Sequence, residues 1–498
     1  MEYLNCSEKK ELMGDPVGHD NIYFFRDGAQ IFHSTSYADL IQGLLESKHR
    51  LEINPAVVSY LLHDGLIPYP YSIYKNIHTL GVGDRANFSS DHTEIQFTND
   101  FPYDLFKSRG DQKSSEEKLL SLLCESVSSG IGGHEAVLML SSGKDSTAIA
   151  LAAKEAGVEN KIQCLTYGDR EETSEGVYAR KLCAQLGLRH AIITLPNDAN
   201  IFKKTLIRYF ENSACPLCDP ATAPYTLALS AHGIKNSILL DGTGNDIYMG
   251  DIPVGNRFYL HYYYLTPVAS WRHLERFIPF YSPMANLLCH QAKPRLLRNL
   301  FRRRESRIFY DSSVITHPYW NRLAEERERK YPFLDYRRFD HWLHAYAMDW
   351  RTFICRQYDD SCRQLRRQAA AVFGCRHLFP WANSSIAEYY FHLPPHEKYD
   401  IPHDLNKLLL RKMLRKYLDY DDAKMKKRTF EFDTFRFLKN NEAFVKEEIY
   451  SCKLWNKNIE PFCEHLWALM ERQNRVKYSL RTLFLISGWR NHSRFLKS

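Results

Sequence analysis

The residues best suited to chemistry fall in one short run, Ser141-Ser142-Gly143-Lys144-Asp145-Ser146-Thr147. It follows the apolar stretch Val137-Leu138-Met139-Leu140 and leads into an alanine-rich segment, so it reads as a turn between a buried strand and a helix. Small residues there let backbone N–H groups come close to an anion. The helix N-terminus adds partial positive charge, and three hydroxyls with Lys144 add donors. The run is not a Walker A loop, because Leu138 stands where that pattern needs glycine and Asp145 follows the lysine instead of Ser or Thr. An acid among phosphate-binding groups calls for a divalent cation between them, which makes Asp145 a candidate Mg²⁺ ligand.

A second run, Leu239-Leu240-Asp241-Gly242-Thr243-Gly244-Asn245-Asp246-Ile247-Tyr248-Met249-Gly250, reads as a buried strand ending in a glycine-punctuated acidic turn. Open α/β sheets place their ligands at the carboxyl ends of strands. Alone the turn is an ordinary Asp-Gly turn. Beside the first loop, Asp246 becomes a second metal candidate.

The elements that must position these loops are legible in outline. Short β segments and turns fill residues 1–110, with Asn21–Phe25 and Ala29–Phe32 flanking Arg26-Asp27-Gly28 as a hairpin and a helix near Pro55–His63. A polar stretch at Arg109–Lys113 marks a boundary, and Ser114-x-x-Glu117 has capping-box spacing before a leucine-rich helix. Beyond it, strands at Ala136–Leu140, Ile162–Thr166, Ala191–Leu195 and Ser237–Leu240 alternate with helices at Thr147–Ala156 and Glu175–Leu186. That alternation predicts an α/β fold with a doubly wound parallel sheet. From about residue 255 the chain reads as mostly helical and is rich in aromatics and arginine.

Both runs resemble signatures of the asparagine synthetases and their relatives, the β-lactam synthetases, carbapenam synthetases and lasso-peptide cyclases. That family carries a Ser-Gly-Gly-x-Asp-Ser pyrophosphate loop and a later Gly-Glu-Gly-x-Asp-Glu-Leu-Phe-Gly turn. Here Ser142 replaces the first loop glycine, and the turn keeps its glycines and Asp246 but neither glutamate. Glu175-Gly176-Val177-Tyr178-Ala179 and Leu186-Gly187-Leu188-Arg189-His190 resemble the family's second helix and the turn after it. Lys407-Leu408-Leu409-Leu410-Arg411 matches its Lys-x-x-Leu-Arg helix, and Leu418, Lys427 and Phe430 resemble its ending. Phe379-Pro380-Trp381-Ala382-Asn383 is similar to its Pro-Phe-Leu-Asp segment, with Asn383 for Asp and Arg376 for the preceding glutamate. Asn54–Gly83 is similar to the stretch that closes the family's glutaminase domain.

The resemblance implies an adenine-nucleotide α-hydrolase-like sheet, a helical C-terminal extension and a small truncated β-rich N-terminal domain. It divides the chain into a glutaminase-like remnant without a nucleophile at 1–110 and a synthetase domain at 111–498. It implies ATP and Mg²⁺ as cofactors, with ATP and pyrophosphate against Leu140, Ser141, Ser142, Gly143, Lys144, Asp145, Ser146, Thr147, Gly242, Thr243 and Gly244. Metal falls to Asp145 and Asp246. Lys427 inherits the lysine that faces the ATP phosphates, and Tyr358, with Asp359 and Asp360, is a candidate to orient an amine. Glu2 stands where the family's glutaminase has its cysteine, which implies no glutamine hydrolysis. The expected reaction is AMP-forming amide synthesis between a carboxylate and an amine of a small molecule or peptide, an intramolecular lactam or macrolactam closure included. A partner protein or precursor peptide fits the same picture. Two other readings stay open, an enzyme that adenylates a tRNA base and a decayed synthetase-like binding protein.

Composition narrows the classes further. At 498 residues, with 44% hydrophobic and 25% charged residues, the chain is ordinary globular material. It has no apolar run near the roughly 18 residues of a membrane span, and its start lacks a basic flank and an apolar signal core. Twelve scattered cysteines then read as cytosolic thiols, so a cytoplasmic location is expected. A net charge of +7 falls short of a dedicated nucleic-acid binder. Two features keep two readings each. Cys215-x-x-Cys218 is a structural or substrate-channel loop or, with His190 or His232, a zinc site. The basic stretch Lys293–Arg307 is a solvated helix face or a dock for an acidic partner, a carrier or nucleic acid.

Overall fold

A computed structural model describes residues 2–5, 11–249 and 363–496. Within those spans it leaves out 29, 56, 59–60, 62–66, 68, 90–93, 104–106, 168–173, 195–197, 217, 219–227, 231, 364–365, 401–402, 404, 419, 421–433, 456–458 and 472–475. Tyr358, Lys427, Phe430 and the basic stretch at 293–307 therefore lie outside the described residues.

The chain opens with strands β1 (Glu2–Asn5), β2 (Glu11–Met13), β3 (Ile22–Asp27) and β4 (Gln30–Ser34), then helix α1 (Tyr37–Glu46). Strands β5 (Ile77–Leu80), β6 (Asp84–Phe88) and β7 (Ile95–Asn99) follow. They form two antiparallel sheets, ordered β1-β4-β3-β5 and β2-β6-β7. The expected hairpin is β3–β4, with Gly28 at φ +57 in its turn. A left-handed backbone there favours glycine.

Next come α2 (Glu116–Ile131), β8 (Ala136–Met139), α3 (Lys144–Glu155), β9 (Ile162–Tyr167), α4 (Ser174–Leu186), β10 (Arg189–Ile193), α5 (Ala199–Asn212), β11 (Ile238–Leu240), the short α6 (Asp246–Met249) and β12 (Arg376–Leu378). Five of these are strands of one sheet, ordered β10-β9-β8-β11-β12, and every pairing is parallel. Strand β12 was not anticipated: three residues beside Gly374 carry too little pattern to announce a strand. The helix cap also moves by one residue. Ser115, in extended conformation, accepts from Lys118 N, so it and not Ser114 caps α2. The third strand begins at Arg189, two residues before the expected Ala191.

Alternation along the strands divides the apolar residues between two cores. Val137, Leu165, Ile193 and Leu239 face one; Leu138, Leu140, Ile162, Cys164, Ile238 and Leu240 face the other. A parallel sheet covered on both faces buries its strands, which explains their nearly continuous apolar runs.

Helices α7 (Ser384–Phe391), α8 (Pro395–Lys398) and α9 (Leu408–Leu418) follow β12, and Leu409, Leu410, Met413 and Leu414 of α9 are buried with α2 and α3. The chain continues with α10 (Thr434–Asn440), α11 (Glu442–Ser451), α12 (Ile459–Met470) and α13 (Val476–His492). Their apolar faces share a core with α5 and with Tyr37, Leu40 and Tyr74 of the N-terminal region. The α/β sheet, its helical layers and the β-rich N-terminal part match the architecture expected from sequence.

Candidate functional site

Loop and turn meet at the carboxyl end of the parallel sheet. Strand β8 ends at Met139, and the chain turns through Leu140–Gly143 into α3, whose N-cap is Gly143 in extended conformation. Glycine has no side chain to cap with, and none does so here. The N-terminus of α3 thus starts without a side-chain cap from Gly143, and a helix start of this kind suits an anion.

The loop before them is braced from within. Ser141 N donates to Ser146 Oγ at 3.1 Å, and Gly143 N donates to Ser141 Oγ at 3.1 Å. The two hydroxyls, of Ser141 and Ser146, lie 2.9 Å apart. Ser142 N donates to Glu175 Oε1 at 2.9 Å, and its hydroxyl reaches the same oxygen at 3.4 Å. Ser142 O accepts from Tyr420 OH at 2.8 Å. The serine in the family's glycine position thus ties the loop to the start of α4. The amides of Ser141, Ser142 and Gly143 are spent on loop shape, so anion binding falls to the residues after them.

The acidic turn after β11 packs directly on this loop. A Cβ at Gly242 would lie 2.8 Å from Ser146 N, and one at Gly244, where φ is +114, would lie 3.1 Å from Ala382 N. Both glycines are there for close approach. Tyr248 OH donates to Trp381 O at 2.7 Å, and Trp381 Nε1 donates to Asp145 O at 3.1 Å, so the 379–383 segment clasps loop and turn together. Asn383 caps α7, accepting from Ser385 N and Ile386 N. Asparagine caps about as well as aspartate, so this departure from the family pattern keeps the local structure. Arg376 sits at the opposite end of β12 from the loop and donates to Gly130 O at 3.1 Å.

Asp145 and Asp246 are brought together by a residue that the sequence pattern did not single out as part of the site. Lys407 Nζ lies 2.8 Å from Asp145 Oδ1, 2.7 Å from Asp246 Oδ1 and 2.8 Å from Asn245 Oδ1. Asn245 Nδ2 also donates to Asp145 Oδ1, at 2.6 Å. Lys407 is 2% exposed and adopts φ +55 just before α9. Burial by itself would lower its ammonium, yet the Asp145 and Asp246 carboxylates outweigh that and hold it above its usual range. Burial would likewise raise the Asp145 carboxyl, but Lys407 and Lys144 hold it below its usual range. Asp145 and Lys407 are therefore both charged at neutral pH.

A second acid–base cluster lies five residues before Asp246. Asp241 accepts from Thr243 N at 2.9 Å, from Thr243 Oγ1 at 2.8 Å and from Arg366 Nη1 at 2.9 and 3.0 Å. His377 Nε2 stands 3.6 Å from its Oδ2. Burial would raise the Asp241 carboxyl, and the Arg366 guanidinium with His377 pulls it far below the carboxylate range.

The two carboxylates at Lys407 suit a divalent cation. Their described contacts fall on Oδ1 of each, and Mg²⁺ commonly takes one or two carboxylates together with substrate phosphates. Among the described residues no group of three or more His, Cys, Asp or Glu side chains is placed to hold a metal unaided. His190 pairs with Thr166 Oγ1 at 2.9 Å, and His232 accepts from Thr194 N. Cys215 and Cys218 are buried thiols outside any disulfide, with Cys215 against the Gln368 amide.

A 7-cyano-7-deazaguanine synthase from Methanocaldococcus jannaschii is 37% identical over 73 residues, which is 15% of this chain. The chain spans about a third (32%) of the length of that relative. An NH3-dependent NAD synthetase from Campylobacter jejuni, solved with a nitrate ion, overlaps 44% of this chain and 96% of its own at 16% identity, with a TM-score of 0.21. The asparagine synthase profile matches residues 118–448, a span that takes in the serine loop, the acidic turn and Lys407. With more than half its length under that match, the chain belongs to the asparagine synthase family.

Proposed function

We propose that this protein activates a substrate carboxylate with ATP and passes the acyl group to an amine. The carboxylate oxygen attacks the α-phosphate, giving an acyl-adenylate and pyrophosphate. The amine then attacks the acyl carbon, forming the amide and releasing AMP. Neither step calls for an enzyme nucleophile, so the work lies in positioning and in holding charge on the leaving pyrophosphate.

One observation carries this reading: the N-terminus of α3, without a side-chain cap from Gly143, lies beside a partly exposed pair of carboxylates at the carboxyl end of a parallel sheet. The first-turn amides of α3 would receive phosphate oxygens, and Lys144 adds a cation on the same turn. Asp145 and Asp246 would hold Mg²⁺, which supplies charge neutralisation on the phosphates. Lys427, placed by its family motif, is assigned to the same phosphates, and Tyr358 to the amine. Gly242, Thr243 and Gly244 keep the turn close enough for one nucleotide to touch both elements.

We assign residues 1–110 a supporting role instead of glutamine hydrolysis. Their buried Tyr74 donates to Ala214 O at 2.9 Å, and Ser108 Oγ donates to Phe391 O at 2.7 Å, so they brace the synthetase region from two sides. The nitrogen source is then a preformed amine, and closure of a lactam or macrolactam within one substrate is the favoured case.

The test uses a panel of carboxylic acids with hydroxylamine as a surrogate amine, ATP and Mg²⁺, with nucleotide products separated by ion exchange. AMP and pyrophosphate are expected for at least one acid. Turnover that yields only ADP and phosphate overturns the proposal.

A further inference from the structure

The geometry around Lys407 bears on how metal and nucleotide reach the site. Asp145, Asp246 and Lys407 together carry one net negative charge, and the ammonium lies 2.7 to 2.8 Å from one oxygen of each carboxylate. Its third acceptor, Asn245 Oδ1, comes from the acidic turn, while Asn245 Nδ2 reaches back to Asp145. Three elements far apart in sequence are joined at one nitrogen. The stem has little freedom to withdraw: the residue is 2% exposed, and Leu408, Leu409 and Leu410 run straight into the packed helix α9.

We infer that Lys407 is a positioning residue that makes this acidic pair select a metal ion already bound to nucleotide over the free ion. The inference rests on the proposed function, in which the loop takes ATP. A free divalent cation approaching the pair meets a fixed ammonium at contact distance from both of its ligands, and like charges at that range in a partly desolvated site repel strongly. A cation that arrives on phosphates brings negative charge with it. The ammonium and the first turn of α3 then attract the incoming group instead of opposing it.

Mn²⁺ provides the probe, because its free and bound forms are separated by electron paramagnetic resonance. The full-length wild-type protein is titrated with Mn²⁺ alone and with Mn²⁺ plus a non-hydrolysable α,β-methylene ATP analogue. At least tenfold tighter Mn²⁺ binding is expected with the nucleotide. In Lys407→Met, Mn²⁺ alone should bind at least tenfold more tightly than to wild type, and adding Asp246→Asn to that variant should abolish the gain. In Lys407→Arg, which keeps the charge, the weak binding of free Mn²⁺ should persist. Equal affinity of wild type and a folded Lys407→Met for free Mn²⁺ overturns the inference. If Lys407→Met does not fold, as judged by circular dichroism, the wild-type comparison decides: equal Mn²⁺ affinity with and without the analogue overturns it. Failure of the analogue to bind at all counts against the nucleotide reading instead, and leaves the Lys407→Met arm to decide the role of the lysine.

Discussion

Two acid–base clusters stand side by side at the acidic turn, and their difference separates structure from chemistry. Asp241 is saturated: backbone, hydroxyl, guanidinium and imidazole groups surround both of its oxygens. It joins the end of β11 to the helical residues 366–371 and to β12, and it has nothing left to offer a ligand. Asp145 and Asp246 each give Lys407 a single oxygen, and their side chains are 21% and 37% exposed. Arginine brings a planar fork suited to one carboxylate, whereas lysine brings a compact charge that three acceptors from separate elements can share. Proximity to a conserved-looking turn does not make a carboxylate a ligand; unspent acceptor capacity and access do.

The contrast can be broken most sharply at Asp246. Asp246→Asn should lower turnover by about a thousandfold, because metal-assisted neutralisation contributes several kcal/mol to such steps. Its unfolding midpoint should stay close to wild type. A variant with near-normal kcat would remove Asp246 from the metal site. Asp241→Asn should behave in the opposite way. It removes the carboxylate charge that Arg366 Nη1 meets at 2.9 and 3.0 Å, a loss of about 3 kcal/mol in denaturant unfolding, while the Mn²⁺ affinity measured with nucleotide stays within a few-fold of wild type. A larger loss of affinity than of stability would make Asp241 part of the site.

The smallest effect sharpens the comparison through pH. The Asp241 carboxyl is held far below its unfolded value, so the stability it contributes is complete above about pH 4 and is lost as pH falls toward its depressed folded value. Between pH 5 and pH 3, wild type should therefore lose stability more steeply than Asp241→Asn in parallel urea titrations. Identical slopes would show that Asp241 does not couple folding to protons.

How much of this was legible in the sequence depends on what kind of signal each residue carries. Residues 141–147 and 241–250 announce themselves because the needs of a close-approaching backbone, small residues and glycine, are local. The four strands that were expected all formed, since short apolar runs bounded by turn residues are hard to miss. Lys407 is different. Its motif was visible as Lys-x-x-Leu-Arg, but nothing local says that its ammonium ends up on Asp145, 262 residues earlier. That pairing is a product of the sheet order, which puts β8 next to β11 and lays α9 against α2 and α3. Asn383 shows the reverse case. Compared with a family pattern it looks like a lost acid, whereas in the fold it is a helix cap, a role that asparagine fills equally well. Arg366 lay unnoticed in an arginine-rich stretch where composition cannot distinguish one guanidinium from the next.

The carbonyls of Ser213 and Ala214 have a consequence for how the chain is made. Ser213 O accepts from Trp489 Nε1 at 3.1 Å and from Ser493 Oγ at 2.9 Å, and Ala214 O accepts from Tyr74 OH. Tyr74 and Trp489 also meet edge to face, with ring centroids 6.2 Å apart. The wall behind the N-terminal sheets is thus finished by a helix more than 400 residues downstream. Contacts this distant in sequence form slowly, because a long loop must close before they contribute. During synthesis, the early strands wait with an apolar flank uncovered until α13 has been made. That interval is when a chaperone would find its binding surface, and when crowding of nascent chains would favour aggregation over folding.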